Sequence, residues 1–249
     1  MIEKKELLEI AKLKGLKPWQ QEKHYVQSVM LEILSEHPLV FKGGTYLWFF
    51  HGLPRFSEDL DFTAKEALPK NLPAIVSKSL ELFGIENAVK TITNNATTLS
   101  FRISAKGPLN TARIDECRVY VEISKREGIA KTPLPVKLDF PEYGLPTKRA
   151  AGMSLEEIGA EKVRAIMTRE KARDVYDLHY LIEKKKIPFN QELADKKLAF
   201  SGKKFSKKEF LEKAKQKQEY FEKELKSLVF DELPAFGKTM KRIQKWTEK

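Results

Sequence analysis

Cysteine is nearly absent from these 249 residues, Cys117 being the one example. An internal disulfide and a cysteine-based zinc cluster are thereby excluded, and a reducing compartment is implied. Cys117 sits in the strand-like run CRVYVEI, where it reads as a buried, inert thiol. Histidine is also scarce. His24, His37, His51 and His179 form neither an HExxH pair nor a triad order, which leaves zinc-hydrolase and serine-hydrolase chemistry without support. No apolar run approaches bilayer length, and the opening MIEKKELLEIAKLKG alternates charge with apolar residues, unlike a signal peptide. The expectation is a cytoplasmic protein with no membrane partner. A P-loop is missing too, because no Gly-Lys-Ser/Thr closes the Gly43-Gly44 turn.

What is present is apolar residue enough for a globular core, 41% of the chain, and a net charge of +11. Such a surplus suits a polyanionic partner, nucleotide or nucleic acid. Abundant lysine with abundant glutamate also fits surface ion pairing, so the place where the charge clusters matters more than its sum.

The most informative stretch is FKGGTYLWFFHGLPRFSEDLDF, residues 41 to 62. Gly43 and Gly44 lack β-carbons, so the backbone there can approach a phosphate and point N–H groups at it, and Thr45 adds a hydroxyl. The apolar run Tyr46 to Phe50 reads as a helix opened by that turn, with an N-terminus that favours an anion. Asp59-Leu60-Asp61 follows. In strand geometry the two aspartates share one face while Leu60 and Phe62 enter the core. Carboxylates so close repel unless a cation lies between them, and a hard, oxygen-seeking Mg²⁺ suits that position, with Mn²⁺ as its substitute.

Helical periodicity predicts a first helix ending at Gly15 and a second from Trp19 to Leu34, with a third over Leu72 to Phe83. Alternating segments over 91–98 and 99–104, with an Asn94-Asn95 turn, predict strands, as do 111–123 and 136–140. In the last of these Asp139 faces away from Leu138 and Phe140. From Ser154 the pattern turns helical. Ser154 with Glu157 forms a capping box, and Lys162 and Arg169, two turns apart, can point one way. Asp174 and Asp177 share a helical face, with Val175, Leu178, Leu181 and Ile182 packing inward. Lysine-rich runs beyond residue 187 interleave Phe205, Phe210, Tyr220, Phe221 and Trp246, which suits either an RNA-binding surface or a core with solvated lysines.

Taken together, these residues resemble the AbiEii family of nucleotidyltransferase-like toxins, relatives of the MenT toxins. Lys42 to Thr45 match its Lys-Gly-Gly-Thr, Arg55 to Asp61 its Arg-Phe-Ser-x-Asp-Leu-Asp, and Glu161, Lys162, Arg169, Arg173, Asp174, Asp177 and Leu178 a later block. The pattern is similar also to the wider polymerase-β-like superfamily, with Thr45 in place of serine. The resemblance implies an α+β fold: a polymerase-β-like core of mixed sheet and helices over residues 1–150, then a helical region over 151–249 that contributes Lys162 and Asp177. It implies metal binding by Asp59 and Asp61 with a third carboxylate from an adjacent strand, Asp139 or in reserve Glu122. Lys42, Gly43, Gly44, Thr45 and Arg169 would bind the nucleotide. Lys162 would hold the triphosphate of an NTP, and Asp177 or Asp174 would complete the catalytic set. The implied reaction passes a nucleoside monophosphate to an acceptor hydroxyl, first of all a tRNA 3′ end, with an antitoxin protein as cognate partner. Transfer to a protein or small molecule, or nucleotide and RNA binding without turnover, remain the alternatives.

Overall fold

The computed structural model describes residues 1–126 and 128–248. In chain order its elements are α1 (Lys4–Lys14), α2 (Pro18–Leu34), β1 (Leu39–Lys42), α3 (Gly43–His51), β2 (Leu60–Ala64), α4 (Leu72–Leu82), β3 (Asn87–Asn94), β4 (Thr98–Ala105), β5 (Cys117–Ser124), β6 (Leu134–Leu138), β7 (Lys148–Gly152), α5 (Leu155–Thr168), α6 (Arg173–Lys184), α7 (Gln191–Ala199), α8 (Lys207–Lys215), α9 (Gln218–Leu225) and α10 (Phe236–Trp246). The class is α+β, as expected. Two compact units result, one made of Met1–Tyr46, Glu58–Gly128 and Pro133–Gly152, the other of Leu47–Ser57, Ile129–Thr132 and Met153–Lys249.

The first unit is built on a seven-stranded mixed sheet in the order β3-β4-β5-β2-β1-β7-β6. β2 lies between β1, antiparallel to it, and β5, parallel to it. Strand alternation decides the faces: Val119, Val121 and Ile123 of β5 are buried while Arg118, Tyr120 and Glu122 are exposed. α2 and α4 pack on the sheet. Proline at the first position of α2 fits because an N–H is unpaired there anyway, and Gly15 ends α1 in the left-handed conformation. α2 is buried nearly all round, so its polar residues need partners. Glu22 accepts the Leu109 N–H at 2.6 Å, and the His24 ring lies 2.6 Å from the Tyr143 hydroxyl. Burial holds His24 uncharged, its pKa pulled down to about 3 by desolvation and then by Lys14.

The second unit is helical. Ser154 caps α5 by accepting the Glu157 N–H, and Ser206 caps α8 in the same way from Glu209. Both starts follow the serine-to-glutamate spacing in the sequence. Phe210, Phe221 and Trp246 are core residues here, while Tyr220 is exposed. Of the two readings of these aromatics, core packing describes the first three. No helix among the described residues is long and apolar enough to cross a membrane.

Candidate active site

β1 ends at Lys42 and α3 begins at Gly43, so the chain turns from strand to helix without a loop. That turn requires φ +78° at Gly43, a left-handed value that costs an L-residue about 1–2 kcal/mol. A β-carbon at Gly43 would also land within the Asp61 carboxylate and 2.9 Å from its Cβ and Cγ. Glycine is therefore demanded twice. The missing side chain lets Asp61 sit against the first residue of α3, where the helix dipole favours negative charge. Gly43→Ala is expected to lose about 2 kcal/mol or more of stability from strain and overpacking, and to displace Asp61. Thermal melting together with NTP-binding calorimetry measures both, and an alanine variant with native melting and native affinity would contradict the packing argument.

Asp61 pairs in register with Lys42 of β1 on one side and Glu122 of β5 on the other. Asp59 stands just ahead of β2, and both aspartates are partly exposed while Leu60 and Phe62 are buried, which matches the expected alternation. Thr45 is fully buried, and its hydroxyl donates to the Asp59 carbonyl, so it braces the acid-bearing segment.

Asp139 lies just past β6 at the far edge of the sheet, with β1 and β7 between β6 and β2, where it is exposed and bonded to Lys137 and Thr147. Those partners hold its carboxyl below the usual range. The expectation assumed that β6 lies beside the Asp59-Asp61 strand. β5 occupies that place, so Glu122 is the carboxylate next to Asp61.

Within the second unit, Arg55, Lys162, Arg169, Asp174 and Asp177 form one ionic cluster. Arg55 reaches Asp177 with two parallel bonds, Nε to Oδ1 at 2.6 Å and Nη2 to Oδ2 at 2.7 Å. Lys162 Nζ lies 2.5 Å from Asp177 Oδ2 and 3.0 Å from Asp174 Oδ1. Arg169 binds Asp174 through Nε at 2.7 Å and Nη2 at 2.9 Å. Asp174 and Asp177 are completely buried, as is Arg55 to within 1%, whereas the Arg169 side chain is 56% exposed. Burial works against both carboxylates, yet Lys162 with Arg169 for Asp174, and Arg55 with Lys162 for Asp177, keep both pKa values below the ordinary carboxylate range.

An aspartate held this way is a poor base. Every carboxylate oxygen of Asp174 and Asp177 already accepts from a cation, an arrangement that suits orienting the neighbouring cations better than taking a proton. Lys162 is likewise engaged on two sides. Charge arithmetic still leaves three cations against two anions.

Arg55 is the cluster member that the sequence pattern alone does not single out, although it stands inside the matched motif. Its backbone is fixed by a short bridge between residues 54–56 and 228–230: Phe56 N–H donates to the Leu228 carbonyl at 2.8 Å and Phe230 N–H to the Pro54 carbonyl at 3.0 Å. Trp48 packs edge-on against Phe56 with centroids 5.0 Å apart. Nearby on α5, Glu161 turns to the other side and with Glu157 pairs the buried Lys197, which gives the helix a second ionic anchor.

The chain is similar in structure to JHP933 from Helicobacter pylori, at 20% identity and TM-score 0.64 over 92% of this chain and 90% of that one. It is similar also to MenT4, a nucleotidyltransferase toxin from Mycobacterium tuberculosis, at 19% identity and TM-score 0.60 over 92% of this chain and 82% of that one. No curated protein matches the sequence. The family model described as the nucleotidyl transferase AbiEii toxin of a type IV toxin-antitoxin system matches residues 28–246, so the chain belongs to the AbiEii nucleotidyltransferase toxin family.

Proposed function

We propose that this nucleotidyltransferase toxin uses a divalent metal, Mg²⁺ or Mn²⁺, to transfer a nucleoside monophosphate from an NTP to an RNA 3′-hydroxyl, with tRNA the first acceptor to test. The observation that carries this reading is the Asp61 carboxylate seated against Gly43 at the start of α3, which puts an acid beside a glycine-opened helix N-terminus.

Among the described residues no group of three His, Cys, Asp or Glu side chains could hold a metal alone. That donor set still fits the proposed ion, because Mg²⁺ is commonly held by one or two carboxylates with substrate phosphates and water completing its shell. Asp59 and Asp61 would hold it, with Glu122 rather than Asp139 as the neighbouring carboxylate. A metal so bound supplies charge neutralisation of the phosphates. Gly43 and Gly44 offer backbone N–H groups to the triphosphate, and Lys42, the register partner of Asp61, adds positive charge. The acceptor oxygen forms a bond to the α-phosphorus as the bond to pyrophosphate breaks, and its proton leaves to a base or water.

In the second unit we assign Asp174 and Asp177 to positioning. They hold Lys162 and Arg169 in place, and Arg169, more than half exposed, is the cluster member best presented to a phosphate. Antitoxin pairing follows from family membership, and its partner surface is left to experiment.

The test is transfer of label from each α-³²P-NTP to separate pools of tRNA, protein and small-molecule acceptors, with and without EDTA. Metal-dependent labelling of RNA supports the reading. Labelling of protein or small molecules alone would replace the acceptor, and label transfer undiminished by EDTA would remove the metal.

A further inference from the structure

β2 has different neighbours on its two sides, and the chemistry differs accordingly. On the β1 side lies the Gly43 turn. On the other side the solvent face continues across β5, β4 and β3, where register pairs Glu122 with Asp61, Tyr120 with Arg102, and Arg102 with Lys90. Arg118 follows on the same face of β5. Lys90, Arg118 and Glu122 are exposed, Arg102 is partly so, and Tyr120 is 43% exposed. None of the three cations has an ion-pair partner among the described residues, and Arg102 Nε is without a hydrogen-bond partner. Elsewhere the chain pairs its charges freely, even at the surface, as Lys196 does with Glu192 and Lys106 with Glu86.

We propose that this strip of sheet, Lys90, Arg102, Arg118 and Tyr120, receives the single-stranded 3′ end of the RNA acceptor. The inference rests on the proposed function and locates one side of its reaction. Phosphoryl transfer runs in line, so nucleophile and leaving group stand on opposite sides of the phosphorus. Pyrophosphate leaving toward the α3 N-terminus on the β1 side puts the acceptor hydroxyl on the β5 side. An exposed tyrosine stacks on any unpaired base, and unpaired lysine and arginine side chains meet the backbone phosphates. The dimensions agree. β3 lies about 10 Å from β5, and Tyr120 about 7 Å along its strand from Glu122, a span of two or three nucleotides. Glu122 gives the strip an acidic end beside Asp61, which keeps phosphates away from the position where the hydroxyl must arrive.

Fluorescence anisotropy of a labelled twelve-nucleotide single-stranded RNA, with steady-state transfer assays, tests the assignment. Tyr120→Ala is expected to weaken RNA binding roughly ten-fold and raise KM for RNA in proportion, with NTP affinity unchanged. Tyr120→Phe keeps the ring and should behave as wild type. Combined Lys90→Ala, Arg102→Ala and Arg118→Ala should reduce the salt dependence of RNA binding by about two units of log slope. Lys90, Arg118 and Tyr120 are exposed and Arg102 partly so, and circular dichroism checks that the variants fold. Unchanged RNA affinity and salt slope in folded variants, while the wild type labels RNA, would overturn the surface and leave the function standing. A wild type that labels only protein or small molecules would overturn both.

Discussion

Asp61→Asn is expected to lower nucleotidyl transfer by on the order of 10³-fold while leaving the melting temperature near that of the wild type. The amide keeps the shape that fills the space over Gly43, so the packing at the start of α3 survives. What disappears is the charge. On the proposed role, Asp61 is one of the two carboxylates that hold the metal against the triphosphate, and a neutral amide oxygen is a weaker ligand for a hard divalent ion. Asp59→Asn should act in the same direction. Pyrophosphate release, measured with saturating NTP and acceptor, reads the loss, and calorimetry in the presence of Mg²⁺ shows whether NTP affinity falls with it. A folded Asp61→Asn protein that turns over within ten-fold of wild type would remove the acid pair from the reaction.

Most of what lies within a few residues could be read before any coordinates. Gly15 ending α1, and Ser154 and Ser206 capping their helices, all follow from signals spanning three or four positions. The strand alternation that buries Leu60 and Phe62 and leaves Asp61 accessible is local as well. Strand order is not. Asp139 and Glu122 both sit on alternating segments, and only the order β5-β2-β1-β7-β6 puts one beside Asp61 and the other at the far edge. Arg55 was hidden for a related reason: its partner Asp177 is 122 residues away, and nothing in a window around either residue names the other. Thr45 shows a third limit. A hydroxyl next to two glycines suits a phosphate, but burial at the base of α3 commits it to the Asp59 carbonyl.

The buried cluster yields the largest expected effect on stability. Asp177→Ala should cost about 3–5 kcal/mol, because it leaves Arg55 and Lys162, both nearly water-free, to share Asp174 with Arg169. Against a typical total of about 5–15 kcal/mol, that loss removes a large share of the stability. Urea unfolding followed by circular dichroism measures it. Replacing the pair together, Arg55→Met with Asp177→Leu, removes a charge of each sign and should restore part of the loss. The same cluster sets an acid limit. With their folded pKa values depressed, Asp174 and Asp177 contribute stability that is fully present above the unfolded carboxylate value, about 4, and is lost as pH falls through the lower folded values. Wild-type stability should therefore drop below about pH 4, and less steeply in the Met/Leu double variant. A native-like urea midpoint for Asp177→Ala, with transfer abolished, would reverse the assignment and return Asp177 to the chemistry.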